Sequence, residues 1–126
     1  MLWCYDKQNI AERKIFDQMY CTVDRPIIIT DLNEKIIAVN TSWVNMCKFT
    51  AEEAFGNTPK LLQGELTNVE SALNFSMTIR GGLTSSITSI VNYKKDGSKF
   101  LNNIIGWHLG DILIAETMSE LPIIGD

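Results

Sequence analysis

A chain of 126 residues, 45% hydrophobic and 21% charged, has the size and composition of one folded domain, too short for two cores and too apolar for disorder. Its formal net charge of −4 and the lack of any Lys/Arg run exclude direct nucleic-acid contact by this domain, since phosphate binding needs clustered cations. Cys4, Cys21 and Cys47 are odd in number and far apart, and His108 is the one histidine, so no disulfide framework or metal site is expected and a reducing compartment is.

From Lys7 to Tyr20, residues Ala11, Ile15, Phe16, Met19 and Tyr20 recur at helical spacing with charges between them, which predicts an amphipathic helix in an N-terminal flank, residues 1–24. Pro26 forces Arg25 into an extended conformation, so Ile27-Ile28-Ile29-Thr30 begins a strand, its consecutive isoleucines suited to burial on both faces. Asp31 to Glu34 reads as a turn and Lys35 to Val39 as the returning strand. Asn40, Thr41 and Ser42 offer N-caps for a short helix carrying Trp43, Val44 and Met46. Thr50-Ala51-Glu52-Glu53 is a capping box opening one helical turn that ends at Gly56. Thr67-Asn68-Val69-Glu70 has the same form and opens a longer helix to Arg80, with Val69, Leu73, Phe75, Met77 and Ile79 as packing residues and Gly81-Gly82 as its stop. Strands follow at Thr84 to Lys94, Ser98 to Leu109 and Ile112 to Met118, joined by turns at Lys95-Asp96-Gly97 and Gly110-Asp111. The core is expected to span residues 25–119, and residues 120–126, with Pro122 and Gly125, read as a tail or linker. No apolar run approaches the ~20 residues of a spanning helix, and the first residues turn polar too soon for a signal peptide. A cytoplasmic or nuclear domain with no membrane partner is expected. Together these elements predict an α+β fold, a five-stranded antiparallel sheet with short helices on one face.

Strand alternation adds detail. Asn92 and Asn102 share a face if the hairpin loop holds an odd number of residues, as a three-residue loop with Gly97 in the left-handed position does. Both asparagines then point at the helices beside Ile90, Phe100 and Ile104, and their amides must find partners. The opposite face carries Val91, Tyr93, Leu101, Ile105, Trp107 and Leu109, joined by Ile112, Ile114 and Met118. An apolar face of that extent needs a cover. The N-terminal helix, through Ile15 and Met19, a partner protein, or both together in a symmetric dimer supply it. His108 reads as a strand-end histidine. No Ser/His/Asp set, glycine-rich phosphate loop or ligand cluster is present, so no enzyme activity is expected.

Ile29-Thr30-Asp31, Thr50-Ala51-Glu52-Glu53 with Gly56, Leu62-Gln63-Gly64, and Asn92-Tyr93-Lys94-Lys95-Asp96-Gly97 with Phe100 and Asn102 stand in an order and spacing that resembles the PAS sensory family in its LOV branch, from about Arg25 to Ser119. The resemblance implies the PAS fold. The cofactor-contacting segment of photoactive LOV domains reads Gly-x-Asn-Cys-Arg-Phe-Leu-Gln-Gly, and Gly56 to Gly64 is similar, with Pro59 at the position of the photoactive cysteine. A cysteinyl–flavin adduct is excluded at that position, and Cys47 is expected to be a buried structural thiol. By the same resemblance Lys60, Gln63, Asn92, Asn102 and Thr117 would form an FMN pocket, Lys60 keeping the charge of a phosphate-binding arginine. Thr58 stands where asparagine is usual, Ser76 where a second phosphate-binding arginine is usual, and Thr117 near where a ring-contacting glutamine is usual. The residues therefore leave two alternatives. The first, and preferred, is a signalling and protein-interaction module without a cofactor, forming a homodimer or PAS–PAS heterodimer and acting on a protein effector. The second is a sensor that binds FMN or another small molecule.

Overall fold

The computed structural model describes residues 2–4, 24–82 and 85–124. Six antiparallel strands make one sheet: β1 (Leu2–Cys4), β2 (Ile27–Asp31), β3 (Ile36–Asn40), β4 (Ser86–Tyr93), β5 (Lys99–Leu109) and β6 (Ile112–Pro122), in the order β1-β3-β2-β6-β5-β4. The five expected strands are present, and β1 extends the edge beside β3. Between β3 and β4 run α1 (Thr41–Cys47), α2 (Ala51–Ala54), a 3-10 turn (Pro59–Leu62) and α3 (Val69–Arg80). The helix expected over 7–20, with Ile15 and Met19, lies outside the described residues.

Short polar side chains build the connections. Asp31 Oδ1 accepts from the amides of Asn33 and Lys35, both at 2.9 Å, and closes the β2–β3 turn, in which Glu34 takes the left-handed conformation at φ 66°. Of the three caps on offer, Asn40 is the one used for α1. Its Oδ1 accepts from the amides of Trp43 and Ile27, and its Nδ2 donates to the carbonyl of Arg25 at 2.8 Å. One side chain thus joins the start of β2, the end of β3 and α1. At α2 the capping box forms as read, with Thr50 and Glu53 exchanging amide hydrogen bonds at 3.0 and 3.1 Å.

The second capping box does not form. Asn68 caps α3 by accepting from the Ser71 amide, because the Thr67 hydroxyl is engaged elsewhere: it donates to the carbonyl of Val91 at 2.6 Å and accepts from the Gly64 amide. Of the packing residues expected on α3, Phe75 and Ile79 are buried, while Val69, Leu73 and Met77 are more than half exposed. The helix sits on the sheet through Phe75 at Gly106, where a Cβ would lie 2.5 Å from the Phe75 ring. Only the absence of a side chain at Gly106 lets helix and strand approach this closely.

The β4–β5 hairpin has the expected three-residue loop. Lys94 and Ser98 flank it, with the Lys94 amide donating to Ser98 at 2.8 Å and Gly97 at φ 89°. β6 runs past its expected end at Met118 to Pro122. A bulge there pairs Asn103 with Ser119 but Ile104 with Thr117, and the shifted register carries residues 119–122 along β5. The core is split by the sheet. On the helical side Val39, Trp43, Met46, Cys47, Leu62 and Phe100 pack together, with Phe75, Ile79, Ile90, Ile104 and Leu113 beside α3. On the outer side Ile27, Ile29, Ala38 and Ile114 form a smaller cluster.

Candidate functional site

A cavity of about 270 Å³ lies between α3, the 3-10 turn and the inner face of the sheet. Ile28, Ile90, Ile104 and Leu113 line it from the strands, with Leu62 and Phe75 opposite. The 3-10 turn forms because Pro59 fits its first position and Thr58 caps it, the Thr58 hydroxyl accepting from the Lys60 amide at 3.4 Å. Pro59 lines the cavity, as do Lys60, Gln63, Asn92, Asn102 and Thr117, so the residues named from sequence converge on one space.

Its polar wall is a relay of three buried side chains. Thr117 Oγ1 donates to Asn102 Oδ1 at 2.9 Å, Asn102 Nδ2 donates to Asn92 Oδ1 at 3.0 Å, and Asn92 Nδ2 donates to the carbonyl of Leu62 at 3.2 Å. The odd loop length puts both amides inward, and the Met118 bulge leaves Thr117 opposite Ile104 on the same face. Among the described residues no buried side-chain nitrogen or oxygen lacks a partner. The relay is therefore stable alone. Asn102 Nδ2 makes one hydrogen bond here and has two hydrogens, and each amide oxygen has a second lone pair, which leaves directional capacity on a cavity wall. A flat heterocycle with mixed donors and acceptors fits such a wall between apolar surfaces.

The mouth has a feature that the sequence did not signal. Glu34, on the β2–β3 turn, reaches across to α3, where Ser76 Oγ donates to its Oε1 and the Arg80 guanidinium pairs with its Oε2 at 3.1 Å. Glu34, Ser76 and the exposed Lys60 all line the cavity.

Cys47 is elsewhere. Its thiol is fully buried and donates to the carbonyl of Trp43 at 3.1 Å, and it is absent from the cavity lining. Burial pushes its pKa up to about 11 from an ordinary 9.0, so it stays a protonated thiol at neutral pH.

The outer face differs in part from expectation. Val91, Leu101, Ile105 and Trp107 are half-buried there. Ile114 is 0% exposed, packed with Ile29 and Trp107 in the outer cluster, so it offers no surface. Tyr93 is also occupied, its hydroxyl accepting from the Leu66 amide at 2.9 Å as the loop from Gly64 to Thr67 wraps the edge of β4. The apolar residues half or more exposed on this face are Leu109, as expected, with Ile87 and Leu121, and these pair with Ile112, Ile105 and Leu101. His108 bonds the carbonyl of Gly110 at the strand end. Among the described residues no cluster of metal-ligating side chains occurs, and no helix is long and apolar enough to cross a membrane.

No family model matches the chain. It is 36% identical over 81 residues to the blue-light photoreceptors of Listeria monocytogenes and Listeria innocua, an alignment covering 62% of this chain and 32% of each relative. It is 31% identical over 97 residues to the bacterioopsin transcriptional activator of Halobacterium salinarum, covering 75% of this chain and 14% of that one. The chain thus spans about a third or less of the length of these curated relatives. Among solved structures, the LOV domain of the blue-light activated histidine kinase of Erythrobacter litoralis superposes with a TM-score of 0.71 at 21% identity, covering 79% of this chain and 97% of that domain. The fold is the PAS fold in its LOV form.

Proposed function

We propose that this chain is a LOV-type sensory domain whose cavity takes up a flat heterocycle of the flavin class, and whose response does not pass through a cysteine–flavin bond. The observation that carries the reading is the Thr117–Asn102–Asn92 relay, which lines an otherwise apolar cavity and keeps donors and acceptors to spare. The names of the Listeria and Erythrobacter relatives, a photoreceptor and a light-activated kinase, support the same class. This reverses the preference drawn from sequence for a module without a cofactor.

A bound flavin supplies absorption of blue light and the capacity to take up electrons. The chain's own residues do the rest. Asn92, Asn102 and Thr117 would hold its polar groups, Leu62, Phe75 and Ile90 would keep water from it, and Pro59 stands in place of a nucleophile. Cys47 is a poor substitute, being buried, protonated and bonded to Trp43. Asn102 lies between Leu101 and Asn103, which face outward on β5. A change in hydrogen bonding at the relay therefore reaches the outer face through one peptide unit.

A second reading, in which the domain acts by protein association, is favoured by the exposed Ile87, Leu109 and Leu121. It takes the outer face as the contact for a second copy, another PAS domain or an effector, and it is compatible with the first. The ligand reading is tested by incubating the purified protein with flavin and removing the unbound fraction. Flavin absorption retained at one equivalent, unchanged in form by the substitution Cys47→Ala, is the expected result. A folded protein that retains none overturns it.

A further inference from the structure

Among the described residues the charges lining the cavity are Glu34 and Lys60, which sum to zero. Arg80 is paired with Glu34 through the second carboxylate oxygen and is not part of the lining. Ser76 carries no charge and already donates to Glu34. Among the described residues an entering phosphate thus meets the Lys60 ammonium, one carboxylate and an arginine held by that carboxylate. An anionic group is bound well where several donors and positive charges converge on it, and here they do not. A carboxylate at the mouth instead accepts from hydroxyl groups, which a sugar alcohol supplies without charge repulsion.

We propose that Glu34 is a specificity residue which makes the cavity select the uncharged flavin, an isoalloxazine bearing a neutral polyol chain, over its phosphate ester. The inference rests on the flavin reading above and goes beyond it by naming the tail. It also departs from FMN, the cofactor implied by the resemblance. The clasp that holds Glu34 is specific: its carboxylate is fixed from the Ser76 side and the Arg80 side at once, and its shape depends on the left-handed turn at Glu34 itself.

Binding of riboflavin and of FMN to the intact chain, measured by fluorescence titration at 0.15 M salt, tests this. Riboflavin is expected to bind about tenfold more tightly, a difference of ~1.4 kcal/mol. Glu34→Gln, which keeps hydrogen bonding and removes the charge, is expected to bring the two affinities within about threefold by strengthening FMN alone. Glu34→Asn, tolerated at positive φ, is expected to do the same and serves if the first variant folds poorly. FMN binding more tightly than riboflavin to the parent overturns the proposal, and so does a preference that survives removal of the carboxylate. An Arg80→Ala change that weakens FMN but not riboflavin also overturns it, by showing that Arg80 leaves Glu34 for the phosphate. If neither flavin binds the folded protein, the flavin reading falls and the proposal with it, whereas binding with the opposite preference removes only the proposal.

Discussion

The two faces of β5 are built from alternate residues of one strand and differ in burial. Phe100, Asn102, Ile104 and Gly106 point inward and are buried, whereas Leu101, Asn103, Ile105 and Trp107 point outward and are half-exposed. Each face carries one asparagine among apolar residues, and the difference lies in what it meets: Asn102 is buried against Asn92 and Thr117, whereas Asn103 bonds Ser119 at the surface. Burial of two asparagines is tolerated because each amide is satisfied by the other, by Thr117 and by Leu62. The contrast teaches that the inner face is committed to a directional polar wall and the outer face to apolar area.

The largest expected effect breaks the inner side. Trp43 is 1% exposed and packs in the helical cluster, so Trp43→Ala is expected to cost about 3–5 kcal/mol in urea unfolding. Next, Asn102→Leu strands Asn92 Oδ1 and the Thr117 hydroxyl, and is expected to cost about 1–3 kcal/mol. A matching Asn103→Ala on the outer face, where Asn103 is partnered by Ser119 at 2.8 Å in solvent, is expected to change stability by about 0.5 kcal/mol or less. Equal losses at the two positions contradict the account of the faces.

Cys47 sharpens the comparison through pH. Its thiol pKa is raised in the folded state, so between about 9 and about 11 the folded protein keeps a proton that the unfolded chain has lost. Stability from this group is complete below pH 9 and declines as pH rises toward 11. Denaturation across that range is expected to show a steeper loss for the parent than for Cys47→Ala, and identical slopes count against a buried thiol. The smallest effect belongs outside: Ile87→Lys is expected to leave monomer stability within about 0.5 kcal/mol. If the outer face joins two copies, sedimentation shows the parent heavier than the variant, and a parent already monomeric removes that contact.

Much of this contrast was legible in the residues. A loop of odd length between Asn92 and Asn102, with Gly97 able to adopt positive φ, is a local property, and it brings both amides to one face. The Thr50 capping box is equally local. What escaped depends on longer range. Thr67 and Glu70 have the form of a capping box, yet the Thr67 hydroxyl bonds Val91, 24 residues away. Alternation alone places Tyr93 outward, but a loop wrapping the edge of β4 takes up its hydroxyl. A single bulge at Met118 resets the faces of β6 and extends the sheet through Pro122, and no periodicity announces a bulge. Glu34 reads as a turn residue until α3 lies beside it, 42 positions later in the chain.

Flavin uptake by the parent, Asn102→Leu and Ile87→Lys, compared side by side after removal of unbound ligand, tests the central claim most directly. The account predicts retained flavin in the parent and in Ile87→Lys and its loss from folded Asn102→Leu. Retention by Asn102→Leu equal to that of the parent would contradict it, because the polar wall would then take no part in binding.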